Sequence, residues 1–204
     1  MQHDLFTSPE PEIIIACDGR ATLYRQWIHR DEAANLFDSL RQSLDWEQTV
    51  LTMYGRQVAI PRLNAWYGDS GSSYSYSGAY FDPMPWTAEL ANLRERLQAY
   101  TDTGFNSVLA NYYRDGRDGV GWHSDNETEL GPEPTIASVS LGETRRFSLR
   151  HSATGKTVLV DLAAGDLLVM SGKLQTRWQH QIAKSRKELG ARINLTFRRV
   201  GEKG

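Results

Sequence analysis

Cysteine is almost missing from this sequence: Cys17 is the only one in 204 residues. An intramolecular disulfide is therefore excluded, as is a zinc site built of several thiolates, and a reducing compartment fits. No apolar run is long enough to span a bilayer, so no membrane partner is expected. The N-terminus, Met1-Gln2-His3-Asp4, lacks a basic patch followed by an apolar core. No secretory signal is read there, and a cytoplasmic location is expected. An excess of positive charge is missing too. The formal net charge of -2 excludes a uniformly basic binder of polyanions, although local clusters such as Lys184, Arg186 and Lys187 can still meet phosphate. There is no internal repeat and no linker that splits the chain.

What is present is a 40% hydrophobic chain, enough for one domain with a substantial core. We expect a loose arm over residues 1–11 and one domain over 12–204. Ile13-Ile14-Ile15-Ala16-Cys17 reads as a first buried strand. Asp31 is placed to cap a helix to about Leu44, with Ala34, Leu36, Leu40 and Leu44 as its apolar stripe. Pro85 and Thr87 open a second helix, in which Leu90, Leu93, Leu97 and Tyr100 recur at helical steps. Strands follow: Phe105 to Tyr113, Thr135 to Leu141, Arg145 to Arg150, Thr157 to Leu162, a turn at Gly165-Asp166 into Leu167–Met170, then Gln175 to Ile182 and Ala191 to Arg198. Many short strands after two helices predict an all-β core with flanking helices, a double-sheet jelly roll with the helices on one sheet.

Two stretches carry chemistry. His123 and Asp125 stand two positions apart, so on an extended segment both side chains point the same way. With His180 as a third ligand they match the two-histidine, one-carboxylate set of non-haem Fe(II) oxygenases, which leaves coordination positions open. As an isolated pattern, His-x-Asp in a Gly-rich loop is more often a solvated turn. The second stretch is Arg192-Ile193-Asn194-Leu195-Thr196-Phe197-Arg198. Ile193, Leu195 and Phe197 form one face; Arg192, Asn194, Thr196 and Arg198 form the other. That suits a binding cavity, or a half-exposed strand whose arginines face water. The spacing alone leaves both open.

From about Leu51 to Arg199 the chain resembles the AlkB family of Fe(II)- and 2-oxoglutarate-dependent dioxygenases, most of all its DNA-repair demethylases active on duplex DNA. The pieces are Asn111-x-Tyr113, His123-x-Asp125, His180 and Arg192-x-Asn194-Leu-Thr-Phe-Arg198, in that order. The resemblance implies a double-stranded β-helix. It assigns His123, Asp125 and His180 to Fe(II), and Asn111, Tyr113, Arg192, Asn194 and Arg198 to the 2-oxoglutarate pocket. Arg192 and Tyr113 would take the distal carboxylate, with Asn194 and Arg198 nearer the metal-bound end. O2 is the second cosubstrate. The implied reaction oxidises an N-alkyl carbon of a base, which then leaves as an aldehyde, while 2-oxoglutarate becomes succinate and carbon dioxide.

On the nucleic-acid side, the resemblance makes residues 50–80 the nucleotide-recognition region. Tyr76 and His123 would sandwich a flipped base. Met53-Tyr54-Gly55 would supply a wedge that fills the gap in the stack. Ser77 belongs to the same matching segment, and Glu127 matches an acidic position near the base edge. Arg62 is read equally as a DNA contact or as a solvated side chain. The expected partner is alkylated DNA, single- and double-stranded, with 1-methyladenine and 3-methylcytosine as leading lesions, acted on by a monomer. Rival readings are an RNA or free-nucleotide demethylase with the same iron chemistry, a protein hydroxylase, and a cupin-like binding scaffold that has lost oxidation.

Overall fold

Alternation along Arg192–Arg198 decides the layout, because both of its faces are covered. A computed structural model describes residues 10–53, 56–72, 74–76 and 79–201, without the side chains of 51–53, 74–76 and 79–81. The chain begins with β1 (Glu12–Ile15), β2 (Arg20–Tyr24) and helix α1 (Arg30–Ser43). The hairpin β3 (Val50–Met53) and β4 (Arg56–Ala59), then β5 (Leu63–Gly68) and the small hairpin β6 (Tyr74–Tyr76) and β7 (Ala79–Phe81), lead to helix α2 (Ala88–Thr101). Eight strands and two helical turns follow: β8 (Ser107–Tyr113), β9 (Val120–His123), a 3-10 turn (Thr128–Leu130), β10 (Ile136–Gly142), β11 (Arg145–His151), β12 (Thr157–Leu162), β13 (Leu167–Ser171), α3 (Leu174–Arg177), β14 (Trp178–Ile182) and β15 (Arg192–Arg198).

Seven strands form one sheet in the order β1-β2-β13-β10-β15-β8-β5, and four form a second in the order β12-β11-β14-β9. All pairs within them are antiparallel. The double-sheet layout matches the expected jelly roll. Period-two side chains then sort the core into two layers. Val139, Leu195, Phe197 and Ala110 leave the larger sheet on the helix side and pack with Leu40 of α1 and Leu90, Leu93 and Leu97 of α2. Ile136, Leu168 and Met170 point the other way, onto Phe147, Leu149 and Ile182 of the smaller sheet. Ile28 N–H donates to the Gly165 carbonyl at 3.0 Å, and a Cβ on Gly165, at φ +86°, would lie 2.1 Å from the Ile28 carbonyl oxygen. Glycine is required at that turn.

Three local expectations need correction. The strand at Ile13 is buried only toward its end: β1 is an edge strand, with Ile13 55% exposed and Ile15 4%. Helix α1 starts at Arg30 after His29, with no side-chain cap, so Asp31 lies inside the first turn, where it favours the positive end of the helix dipole. Its buried stripe runs through Ala33 rather than Ala34, because Leu40 and Leu44 fix the phase. Thr87 does cap α2: its hydroxyl accepts from Leu90 N–H at 3.3 Å. Among the described residues no helix is long and apolar enough to cross a membrane.

Candidate metal and cosubstrate site

The three predicted ligands come together between the two sheets. β14 pairs with β9 so that His180 stands opposite His123, and their ring centres are 4.3 Å apart. Asp125 follows directly after β9, with its Oδ1 3.9 Å from His123 Nε2. One ligand atom from each residue lies within 4.8 Å of the others, a spacing compatible with a shared first-row divalent ion.

Their surroundings prepare them as ligands. His123 Nδ1 donates to the Gly121 carbonyl at 2.8 Å, which leaves Nε2 with its lone pair on the metal side. His180 is fully buried. Burial, helped by neighbouring His123 and opposed by Asp125, pushes its pKa down to about 3, so the imidazole is neutral. Burial alone would raise the Asp125 carboxyl. The guanidinium of Arg198 and the two histidines outweigh it and hold that carboxyl well below the ordinary range. Arg198 Nη2 donates to Asp125 Oδ2 at 2.8 Å. The Asp125 main-chain N–H is held by Gln175 Oε1 at 3.0 Å.

The triad opens on a cleft of about 520 Å³, counted to its open mouth. Asn111, Tyr113, Asn194 and Arg198 line it beside the triad. The inner face of β15 therefore meets a cavity, and the solvated reading of its arginines is wrong: Arg192 is 1% exposed and Arg198 4%. Asn194 Nδ2 donates to Ser138 Oγ at 2.8 Å and to the Val139 carbonyl at 3.0 Å. Arg192 does not itself line the cleft. It lies behind Tyr113, its guanidinium carbon 5.4 Å from that ring, and Nη2 donates to Ser140 Oγ at 3.0 Å. Burial above all pushes its pKa down to about 10; Tyr113 opposes this and Arg145 adds to it.

The residues fit the groups that the chemistry requires. Two imidazole nitrogens and an ionised carboxylate make an intermediate-to-hard donor set suited to Fe(II). Arg192 Nε and Nη1 find no hydrogen-bond acceptor among the described residues. A buried guanidinium in that state favours an anion, and a dicarboxylate reaching it past Tyr113 would supply one.

The other predicted residues are less uniform. Arg62 is 7% exposed and lines the cleft. Its Nε donates to Asn111 Oδ1 at 2.8 Å, so the expectation that it is a solvated surface side chain is corrected; the buried amide oxygen gives the guanidinium a partner that water would otherwise supply. Glu127 is half-buried, just before the turn Thr128–Leu130, and is not among the residues that line the cleft. Tyr54, Gly55 and Ser77 lie outside the described residues, as do the side chains of Met53 and Tyr76. Sequence reasoning missed Gln175, Asn64, Ser138 and Ser140. For the two serines a signal was available: they alternate on the strand Thr135–Leu141 with apolar neighbours, which puts both hydroxyls on one face.

Residues 20–198 match the 2OG-Fe(II) oxygenase superfamily. The chain is 36% identical over 197 residues to DNA oxidative demethylase ALKBH2 of Mus musculus, covering 91% of this chain and 82% of that protein. Over 191 residues it is 37% identical to the alpha-ketoglutarate-dependent dioxygenase alkB homolog 3 of Homo sapiens, covering 89% of this chain and 66% of that one. The solved structure of OsALKBH1 superposes with a TM-score of 0.67 at 18% identity, covering 92% of this chain and all of that one.

Proposed function

The chain belongs to the 2OG-Fe(II) oxygenase superfamily, and within it to the AlkB family of Fe(II)- and 2-oxoglutarate-dependent dioxygenases; from that premise we propose that it removes alkyl groups oxidatively from the bases of DNA. The observation that carries the proposal is one juxtaposition: the ligand triad His123, Asp125 and His180 shares a cleft with Asn111, Tyr113 and Asn194, and buried Arg192 stands behind it. The names of the relatives point to the substrate, since ALKBH2 is a DNA oxidative demethylase.

Bound iron and 2-oxoglutarate supply the oxidising chemistry, converting 2-oxoglutarate and O2 to succinate and carbon dioxide while one oxygen atom enters a C–H bond of the N-alkyl group. The protein's part is geometric. His123, Asp125 and His180 would hold the metal. Arg198 keeps Asp125 ionised and oriented. Tyr113 and Arg192 would bind the distal carboxylate of 2-oxoglutarate, Asn194 and Arg198 would stand nearer the metal-bound end, and Asn111 would line the same pocket. The hydroxylated carbon sits on nitrogen, so its C–N bond breaks without an enzymic acid–base pair, releasing the aldehyde and the restored base.

We assign 1-methyladenine and 3-methylcytosine as the preferred lesions, in single strands and in duplex. Both carry positive charge and weakened pairing, which lowers the energy needed to flip the base. Tyr76 stacks on the flipped base opposite His123, Glu127 favours its charge, and Met53 and Tyr54 fill the vacated stack. The test assays matched 1-methyladenine oligonucleotides as single-stranded DNA, duplex DNA and RNA, with iron and 2-oxoglutarate. Wild type and a Met53→Ala/Tyr54→Ala double variant run side by side. A loss confined to duplex supports the wedge; an equal loss on all three removes that role; activity on RNA alone would overturn the DNA assignment.

A further inference from the structure

The foot of the β3–β4 hairpin is tied to the cleft at several points. Ile60 N–H donates to the Thr49 carbonyl at 3.0 Å, and the Pro61 carbonyl accepts from Gly119 N–H at 3.0 Å. Gln48 Nε2 donates to the Ile60 carbonyl at 2.8 Å. From this foot the chain enters β5, whose Asn64 pairs with Asn111 of β8. Arg62 and Asn64 both turn inward and converge on one atom. Asn111 Oδ1 accepts from Arg62 Nε at 2.8 Å and from Asn64 Nδ2 at 2.7 Å. All three side chains are buried, at 7%, 7% and 6% exposure.

A side-chain amide can face a site with its oxygen or with its nitrogen, and the two orientations have opposite chemistry. A guanidinium only donates, so Arg62 removes the ambiguity: the Asn111 oxygen must face β5. The Asn111 nitrogen then points away from the clamp, and it makes no hydrogen bond to another described residue. Asn64 is oriented in turn, with Nδ2 on Asn111 and its own oxygen 3.4 Å from Thr49 Oγ1. We propose that Arg62 and Asn64 are positioning residues: together they lock the Asn111 amide so that its nitrogen is presented to a carboxylate in the cleft as a donor, never its oxygen as a repelling acceptor. This inference rests on the reading of the cleft as the 2-oxoglutarate site. It gives Arg62 work on the cosubstrate side of the cleft rather than on the DNA surface.

The experiment titrates 2-oxoglutarate calorimetrically into Mn(II)-loaded protein and records thermal unfolding of the same samples. Asn64→Asp is nearly isosteric, but its carboxylate only accepts. The new carboxylate takes the Arg62 donor for itself, draws the Asn111 nitrogen toward it and so turns the Asn111 oxygen into the cleft. We expect 2-oxoglutarate binding weaker by roughly tenfold or more, the scale of a lost hydrogen bond to a charged group, with Mn(II) affinity unchanged. Asn64→Leu removes one donor and leaves Arg62 holding the amide, so its binding stays within about threefold of wild type. Wild-type affinity in Asn64→Asp overturns the proposal. So do equal losses in both variants that track equal falls in melting temperature, since that pattern belongs to a purely structural pair. Failure of Mn(II)-loaded wild type to bind 2-oxoglutarate shows before any variant is made, and overturns the reading of the cleft as well.

Discussion

Where the larger sheet passes the cleft, its two buried faces differ in everything but burial. On the helix side, Val139, Ile193, Leu195, Phe197 and Ala110 are fully covered and wholly apolar. On the cleft side, Ser140, Arg192, Arg198, Asn111 and Asn64 are covered almost as well, yet all are polar or charged. The first face stabilises the fold by removing apolar area from water, about 25 cal/mol per Å². The second costs stability wherever its groups lack partners. Neighbouring residues of β15 thus serve opposite ends, and the arrangement makes sense if the cleft face is completed by a ligand.

Four variants test that division, from the largest effect to the smallest. Asp125→Ala removes a metal ligand and the carboxylate partner of Arg198. It should abolish Mn(II) binding in titrations and turnover with it; retained oxidation would break the assignment of the cleft face. Phe197→Ala empties a fully buried site on the helix side and should lower stability by about 3–5 kcal/mol in denaturant unfolding. The folded protein should keep its 2-oxoglutarate affinity. Arg192→Met tests the reverse. It should leave stability unchanged or slightly raised, because a buried charge without a carboxylate partner is replaced by an apolar chain of similar length. It should weaken 2-oxoglutarate binding roughly 100-fold, the scale of a truncated buried charge contact, and leave DNA binding intact in fluorescence titrations. A large loss of stability there would mean that the two faces do not divide the work. Thr87→Ala should cost about 1 kcal/mol through the lost helix cap without touching either ligand.

The same contrast explains what could be read in the sequence. The alternation of Arg192–Arg198 and the run Leu90, Leu93, Leu97 are local periodicities, and both appear in the fold as read. The triad was legible as a spacing and an order, with support from the family resemblance. Ile13 was misread because three successive isoleucines look buried in any sheet, and the sequence does not say which strand lies at the edge. The solvated reading of Arg62 failed because a lone arginine after a proline carries no local sign of burial. Its partner, Asn111, lies on β8, on the far side of α2 in the chain, and only the pairing of β5 with β8 brings the two together.

By itself the sequence determined the double-sheet layout and the two faces of β15, because each depends on residue type and short-range period, while the candidate metal ligands were named with the help of the family resemblance. The tertiary structure alone decided what those residues meet. It set His180 opposite His123 by strand register, gave Asp125 rather than water to Arg198, placed Arg192 behind Tyr113 without a carboxylate of its own, and turned the Asn111 amide with donors from β5. The physical reason is that hydrogen-bond partners and burial are properties of pairs distant along the chain, whereas alternation is a property of neighbours.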